Sequence, residues 1–306
     1  MGKSFETNLD PSNKTFDELK TGKYPWWENL KKNEKISIQI RQGNTIDVYY
    51  NGGAILSQLR YDVSKKIFAA QIHPKYIPLE NDARYQSLSL TQNGVEFPKQ
   101  IKTMDFSQFE DEKLKAVMDR IEKYYGTESE KAIQFKFIAK DTFIIDAELQ
   151  TEKHGRIDLV RLDESVKKIV LIEVKTMADP RLFVESGKGK ENIHDQLKKY
   201  HEFAVDYQDN ILVYYEKVLQ IKNDLGLTKP DVKKLKINNW KVECKPLLVF
   251  GDCEKAWIKK YADDIDKKIK TVAYGAFYFR EPIYTLDLNP KSKKGRHFFS
   301  NTLGSK

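Results

Sequence analysis

The chain has 306 residues, 40% of them apolar and 12% aromatic, which is enough for a core and too apolar for a disordered chain. Lys and Arg number 53 against 45 Asp and Glu, a net charge of +8 that suits an anionic partner without demanding one. No run of 18 apolar residues occurs, so a membrane-spanning protein is excluded, and MGKSFETNLDPSNKTFDELK has no apolar centre for a secretory signal. Two cysteines, Cys244 and Cys253, are too few for a disulfide framework or a thiolate metal cage, so a reducing, cytoplasmic compartment is expected.

Residues 1–34 read as a polar leader with one aromatic knot, Tyr24-Pro25-Trp26-Trp27, which either anchors it to a domain surface or stacks on bases. Over 35–78 the segments KISIQIRQG, NTIDVYYNGG, AILSQLRYD and KKIFAAQIHP read as short strands. Apolar residues alternate at Ile36, Ile38, Ile40 and at Ile46, Val48, Tyr50, and Gly43-Asn44 and Asn51-Gly52-Gly53 supply turns. This predicts a small antiparallel module, followed by a polar linker to about 108.

A helix is expected at about 110–125, with Leu114, Val117, Met118 and Ile121 on one face and Gly126 ending it. A second helix, starting at Thr127 or Ser129, carries Glu130. Three strands follow, TFIIDAEL, GRIDLVRL and KIVLIEVKT, then a long helix from near Asn192 whose apolar positions run to Ile211. PLLVFG at 246–251, a charged helix at about 253–269 and YGAFYFR at 274–280 complete the pattern. The tail over 289–306 is basic and expected to be mobile. The order of elements over 109–288 predicts a mixed α/β, or α+β, domain: a sheet flanked by helices.

The chemistry concentrates in GRIDLVRLDESVKKIVLIEVKT. On a strand, Glu173 and Lys175 share one face with Ile169 and Leu171. A hairpin that sets Leu162 opposite Ile169 and Val160 opposite Leu171 also sets Asp158 opposite Glu173. Two carboxylates at the end of an apolar sheet repel one another, and burying them is costly. A divalent cation resolves the conflict, since Mg²⁺ takes one or two carboxylates together with water and phosphate oxygens. A lysine beside it can orient or deprotonate water, which equips the site for phosphodiester hydrolysis.

Asp158 followed by Glu173-Val174-Lys175 resembles the PD-(D/E)XK nuclease superfamily, with Ile157 where the name-giving motif has Pro. The resemblance implies a restriction-endonuclease-like fold. It makes Asp158, Glu173 and the carbonyl of Val174 ligands of Mg²⁺, or of Mn²⁺ in its place, and Lys175 the residue that assists the attacking water. Gln196 and Tyr200 lie four apart on the following helix. They resemble the Gln-x-x-x-Tyr motif of the branch with RecB-like exonucleases, mismatch-directed endonucleases and phage-defence nucleases. There such residues position the lysine or touch the DNA backbone. The superfamily often carries an upstream glutamate that reaches the metal, for which Glu130 and Glu148 compete. The resemblance covers roughly residues 128–203.

Lys188 and Lys190 of the GKGK loop, with Lys198, Lys199 and Arg181, could line a phosphate path or form a solvated face. The function expected is a Mg²⁺-dependent deoxyribonuclease acting in phage defence, restriction or repair, with residues 35–78 serving substrate, a partner protein or a second copy. Its rivals are an RNA or branched-DNA nuclease of the same core, and a nucleic-acid-binding protein without turnover.

Overall fold

Left-handed Asn and Gly residues set the first sheet. In the computed structural model β1 (Ser37–Arg41) turns through Gly43 and Asn44, at φ of 73° and 58°, into β2 (Thr45–Tyr50). Asn51 and Gly52, at φ of 43° and 79°, turn β2 into β3 (Gly53–Asp62). Paired positive φ values match the twist of antiparallel strands, and Asn and Gly accept them most readily. The structure describes residues 5, 8–77, 85–96, 109, 111–126, 128–151, 153–184, 191–279, 286, 288 and 296–298, apart from the side chains of 111–113 and 296–298. The fold is mixed α+β and divides into two compact units. One comprises residues 6–135 with 214–234, and the other residues 1–5, 136–213 and 235–306.

In the first unit β4 (Ile67–Ile72), β5 (Gln86–Thr91) and β6 (Gly94–Glu96) extend the meander to six antiparallel strands in sequence order. β2 and β4 bury every second residue, the mark of a sheet with one dry face. The sequence predicts four of these strands. β5 and β6 lie where it predicts a linker, because serine dilutes the strand pattern of SLSLT and the partners that order it lie in β4, as in Phe68 opposite Leu90.

The expected polar leader is partly helical, with α1 (Lys14–Leu19) capped by the Asn13 side chain and α2 (Pro25–Lys32) opened by its proline. Trp26 and Trp27 are fully buried. Trp26 Nε1 donates to the Thr91 carbonyl at 2.9 Å, and its ring meets Phe68 edge-on at 5.6 Å. They act as an anchor and cannot stack on bases. α3 (Asp111–Tyr125) packs on β3, where a Cβ on Gly53 would stand 2.7 Å from Ile121 Cγ2.

The second unit is built on a mixed sheet of β7 (Ile144–Thr151), β8 (Gly155–Asp163), β9 (Lys168–Lys175), β10 (Lys241–Phe250), β11 (Gly275–Tyr278) and β12 (Arg296–Phe298), side by side in that order. β9, β10 and β11 are mutually parallel, and the remaining pairs are antiparallel. β12 is a strand inside the tail expected to be mobile. β8 and β9 are buried almost continuously, as strands covered on both faces are. α4 (Glu130–Lys140) precedes β7, and the unit boundary falls within it. α5 (Ile193–Asp206) packs on β10 and β8, and α8 (Lys255–Ile269) on β11. The long helix expected from Asn192 to Ile211 breaks at Tyr207 (φ −126°, ψ 25°), beyond which α6 (Gln208–Asp224) begins. Apolar spacing continues through the joint, so periodicity alone does not mark it. The short α7 (Pro230–Lys233) belongs to the first unit. Among the described residues no helix is long and apolar enough to cross a membrane.

One buried ion pair ties the chain near Leu286 to this sheet. Arg161 Nε donates to Asp141 Oδ2 at 2.8 Å, Arg161 Nη2 donates to the Leu286 carbonyl at 2.8 Å, and Leu286 N donates to Asp141 Oδ2 at 3.0 Å. Asp141 has no exposed surface. Asp141→Ala leaves the arginine charge buried and uncompensated, so a loss of about 3–5 kcal/mol is expected in urea unfolding. Asp141→Asn, which keeps acceptor capacity, is expected to lose less.

Candidate active site

The β8–β9 hairpin adopts the predicted register, with Leu162 opposite Ile169, Val160 opposite Leu171 and Leu159 opposite Ile172. Asp158 follows next on β8, and its Oδ2 accepts the Val174 N–H at 2.8 Å. The apolar residues that fix this register therefore carry the carboxylates to one end of the hairpin. That end lies at the carboxyl ends of parallel strands, since Lys175 stands opposite Phe250 of β10. Ligands of open sheets with parallel strands bind at such ends.

Glu173 is the centre of the group and is 1% exposed. Its Oε1 accepts from the Lys175 ammonium and from Gln196 Nε2 at 2.6 Å, and its Oε2 accepts the Tyr200 hydroxyl at 2.8 Å. Lys175, also 1% exposed, further donates to the Val174 carbonyl at 3.2 Å and lies 3.6 Å from Asp179 Oδ2. The Tyr200 hydroxyl also lies beside the Arg156 carbonyl, so its one proton is shared between that carbonyl and Glu173, and Gln196 Nε2 lies 3.3 Å from the same hydroxyl. The structure thus brings Asp158, Glu173, Lys175, Gln196 and Tyr200 together, and it does so through the one-turn spacing of Gln196 and Tyr200 on α5.

Burial, and then the charge of Glu173, push the Asp158 carboxyl well above the usual carboxylate range. Lys175 opposes this, Glu148 adds to it, and the Val174 N–H opposes it more weakly. Burial and the Glu173 and Asp158 charges likewise push the Tyr200 phenol far up, so it stays a neutral donor. The site holds more negative charge than its cations neutralise, the condition under which a carboxyl keeps its proton or a divalent cation enters.

Of the two upstream glutamates, Glu148 lies in the same unit as this pair. It sits on β7 between Ala147 and Leu149, which pair with Leu159 and Ile157 on either side of Asp158. Its φ of 61° is a left-handed kink in the strand, and its Oε2 pairs with Arg156 Nε at 2.6 Å. Glu130 opens α4 in the other unit.

The sequence reading missed Asp179. Its carboxylate, 4% exposed, accepts both Nε and Nη2 of Arg181, and Arg181 Nη1 donates to Gln196 Oε1 at 3.2 Å. Arg181 thereby fixes which way the Gln196 amide faces and leaves Nε2 to point at Glu173. The available signal was Asp179-Pro180, a turn-opening pair. Asp179 caps the single 3₁₀ turn Pro180–Leu182. Arg181 is thus committed to the site, not to an open phosphate path. Lys198 lies 3.8 Å from Glu202 and Lys199 2.5 Å from Glu191, both exposed on α5, while Lys188 and Lys190 lie outside the described residues.

Among the described residues no three His, Cys, Asp or Glu side chains form a ready metal cage. The donor set nevertheless suits a hard cation, which needs only one or two carboxylates. Asp158 Oδ1 accepts no hydrogen bond among the described residues, and Glu173 retains acceptor capacity beyond its three bonds. Compared with protein-family models, with curated proteins and with solved structures, the chain matches none.

Proposed function

We propose that this chain is a divalent-metal-dependent nuclease that hydrolyses DNA phosphodiester bonds, a member of the Gln-x-x-x-Tyr branch of the PD-(D/E)XK superfamily that its motifs resemble. The observation that carries this reading is the meeting of a buried Asp158–Glu173 pair with Lys175, Gln196 and Tyr200 at the end of one hairpin. Asp158, Glu173 and the Val174 carbonyl would hold Mg²⁺ or Mn²⁺, which supplies Lewis acidity and acidifies water. Lys175 holds positive charge and a transferable proton beside the pair, while Gln196 and Tyr200 fix the rotamer of Glu173. The first unit contains a cleft of about 920 Å³ lined by Lys32, Lys35, Tyr50, Lys115, Asp119 and Glu122 among others, which suits it to a partner or regulator. A cytoplasmic setting in phage defence, restriction or repair belongs to the same proposal.

Cleavage of plasmid DNA with Mg²⁺ or Mn²⁺, and none in EDTA, is the expected result. Linear, nicked, branched and single-stranded substrates, and RNA, then define the preference. A second readout does not depend on turnover: Mn²⁺ at about a hundredfold over its Kd should stabilise the parent by about 2.7 kcal/mol and leave Glu173→Gln unmoved. One observation favours a binding protein without turnover, namely that Lys175, Gln196 and Tyr200 already engage both oxygens of Glu173. Tight DNA binding with neither cleavage nor a Mn²⁺ shift would establish that reading instead.

A further inference from the structure

The turn that carries Arg181 into the site ends on Phe183, a large apolar side chain that is 48% exposed. Its ring meets Tyr261 of α8 at 5.2 Å with the planes 66° apart, and Tyr261 meets Trp257 at 5.4 Å. Trp257 in turn meets Phe250, whose ring stacks on Tyr278 at 4.9 Å and 7°. Phe250 and Tyr278 belong to the core cluster with Leu248, Ile265 and Ile269, and Trp257 and Tyr261 pack against it, so this aromatic column is rooted in the sheet and surfaces at Phe183. Its place is also fixed from below, because Leu182 is 1% exposed and its carbonyl accepts from Lys268 Nζ at 2.8 Å.

Positive charge lies on α8, the helix that carries Tyr261. Lys260 Nζ lies 4.8 Å from the Tyr261 ring centre, and Lys255, Lys259 and Lys260 are all exposed on α8. Asp263 and Asp264 are exposed on the same helix, and Asp264 lies 3.6 Å from Lys267. Over Lys255–Ile269 five lysines face three aspartates, one of which, Asp266, is engaged by the Tyr278 hydroxyl. An exposed ring beside lysines is what a base and its phosphate require, whereas bases inside a duplex are stacked on each other and cannot use it.

We infer that Phe183, packed on Tyr261, whose ring Lys260 covers, is a stacking platform for an unpaired base, and that the strand presented to the site is single-stranded DNA. The inference rests on the nuclease reading and names its substrate class. One residue, Leu182, separates Phe183 from Arg181, whose guanidinium bonds Gln196, which in turn bonds Glu173, so the platform is joined to the site through this turn.

The test is binding of the full chain in EDTA to a fluorescent homothymidine strand, to an abasic strand of equal length, and to a duplex. The parent should prefer the homothymidine strand to the abasic one. Phe183→Ala should lose on the order of tenfold in affinity for the homothymidine strand only, and Phe183→Trp should keep it, with melting curves of both variants matching the parent. The inference is overturned if the parent binds abasic and homothymidine strands alike, or if Phe183→Ala binds both as the parent does. Either result leaves the nuclease reading standing. Failure to bind any nucleic acid overturns both. A change in sedimentation of Phe183→Ala without a change in strand preference makes this face a contact between copies and overturns the inference.

Discussion

Lys175→Met is expected to abolish metal-dependent cleavage, to leave DNA binding near the parent level, and to destabilise the fold. The three effects have separate causes. Proton transfer by a positioned side chain contributes about 10²–10⁴-fold, and no other ammonium among the described residues contacts Glu173. Binding sums over many phosphate contacts, and Lys175 is one of 53 basic residues, itself 1% exposed. Stability falls because Glu173 is left buried with only the neutral donors Gln196 and Tyr200, and breaking a buried pair in this way costs about 3–5 kcal/mol. A surface ion pair is worth about 0–1 kcal/mol, so the size of the loss in urea separates the two descriptions. The double variant Glu173→Met with Lys175→Met should recover much of that stability, since no charge is stranded, and should remain inactive. Excess Mn²⁺ should not rescue Lys175→Met. Full activity in that variant, with folding confirmed, would refute the site.

The hairpin was legible because its register is set by local apolar pairs. Leu162 with Ile169 and Val160 with Leu171 leave one pairing that buries every apolar residue, and that pairing carries Asp158 to Glu173. Gln196 and Tyr200 were legible through helical spacing, which depends only on the chain between them. What escaped depends on distant partners. β5 is ordered by β4 and not by its own serine-diluted pattern, and Tyr207 ends α5 without interrupting the apolar stripe. Asp179 escaped for a related reason. Its turn and its fork with Arg181 are local, but its contact with Lys175 and the bond from Arg181 to Gln196 arise only when β9 and α5 bring Lys175 and Gln196 beside that turn. Arg181 therefore read as a surface cation when its guanidinium is already engaged. Glu148 was a weak candidate by sequence because nothing local predicts its left-handed φ of 61° beside Asp158.

Asp158→Asn should also end cleavage, yet with the opposite sign in stability. The asparagine oxygen can still accept the Val174 N–H, while the charge facing Glu173 and Glu148 is gone. The pH dependence follows from the direction of the shift. The folded-state pKa of Asp158 lies well above the ordinary value of 3.8, so between the two values the folded chain binds more proton than the unfolded one. The stability associated with its protonated form is present below about 3.8 and is lost as pH rises through the folded value. Asparagine mimics that protonated form and does not titrate. Parent and variant should therefore melt alike in acid, and the variant should pull ahead as pH rises, by up to about 1.4 kcal/mol for each unit inside the window. Mn²⁺ should then close the gap at neutral pH by stabilising the parent, in which both carboxylates are present, and not the variant. Melting curves over pH with and without Mn²⁺ decide the matter. If Asp158→Asn is less stable than the parent throughout, the carboxylates are not in conflict, and the physical reason for a cation at this site disappears.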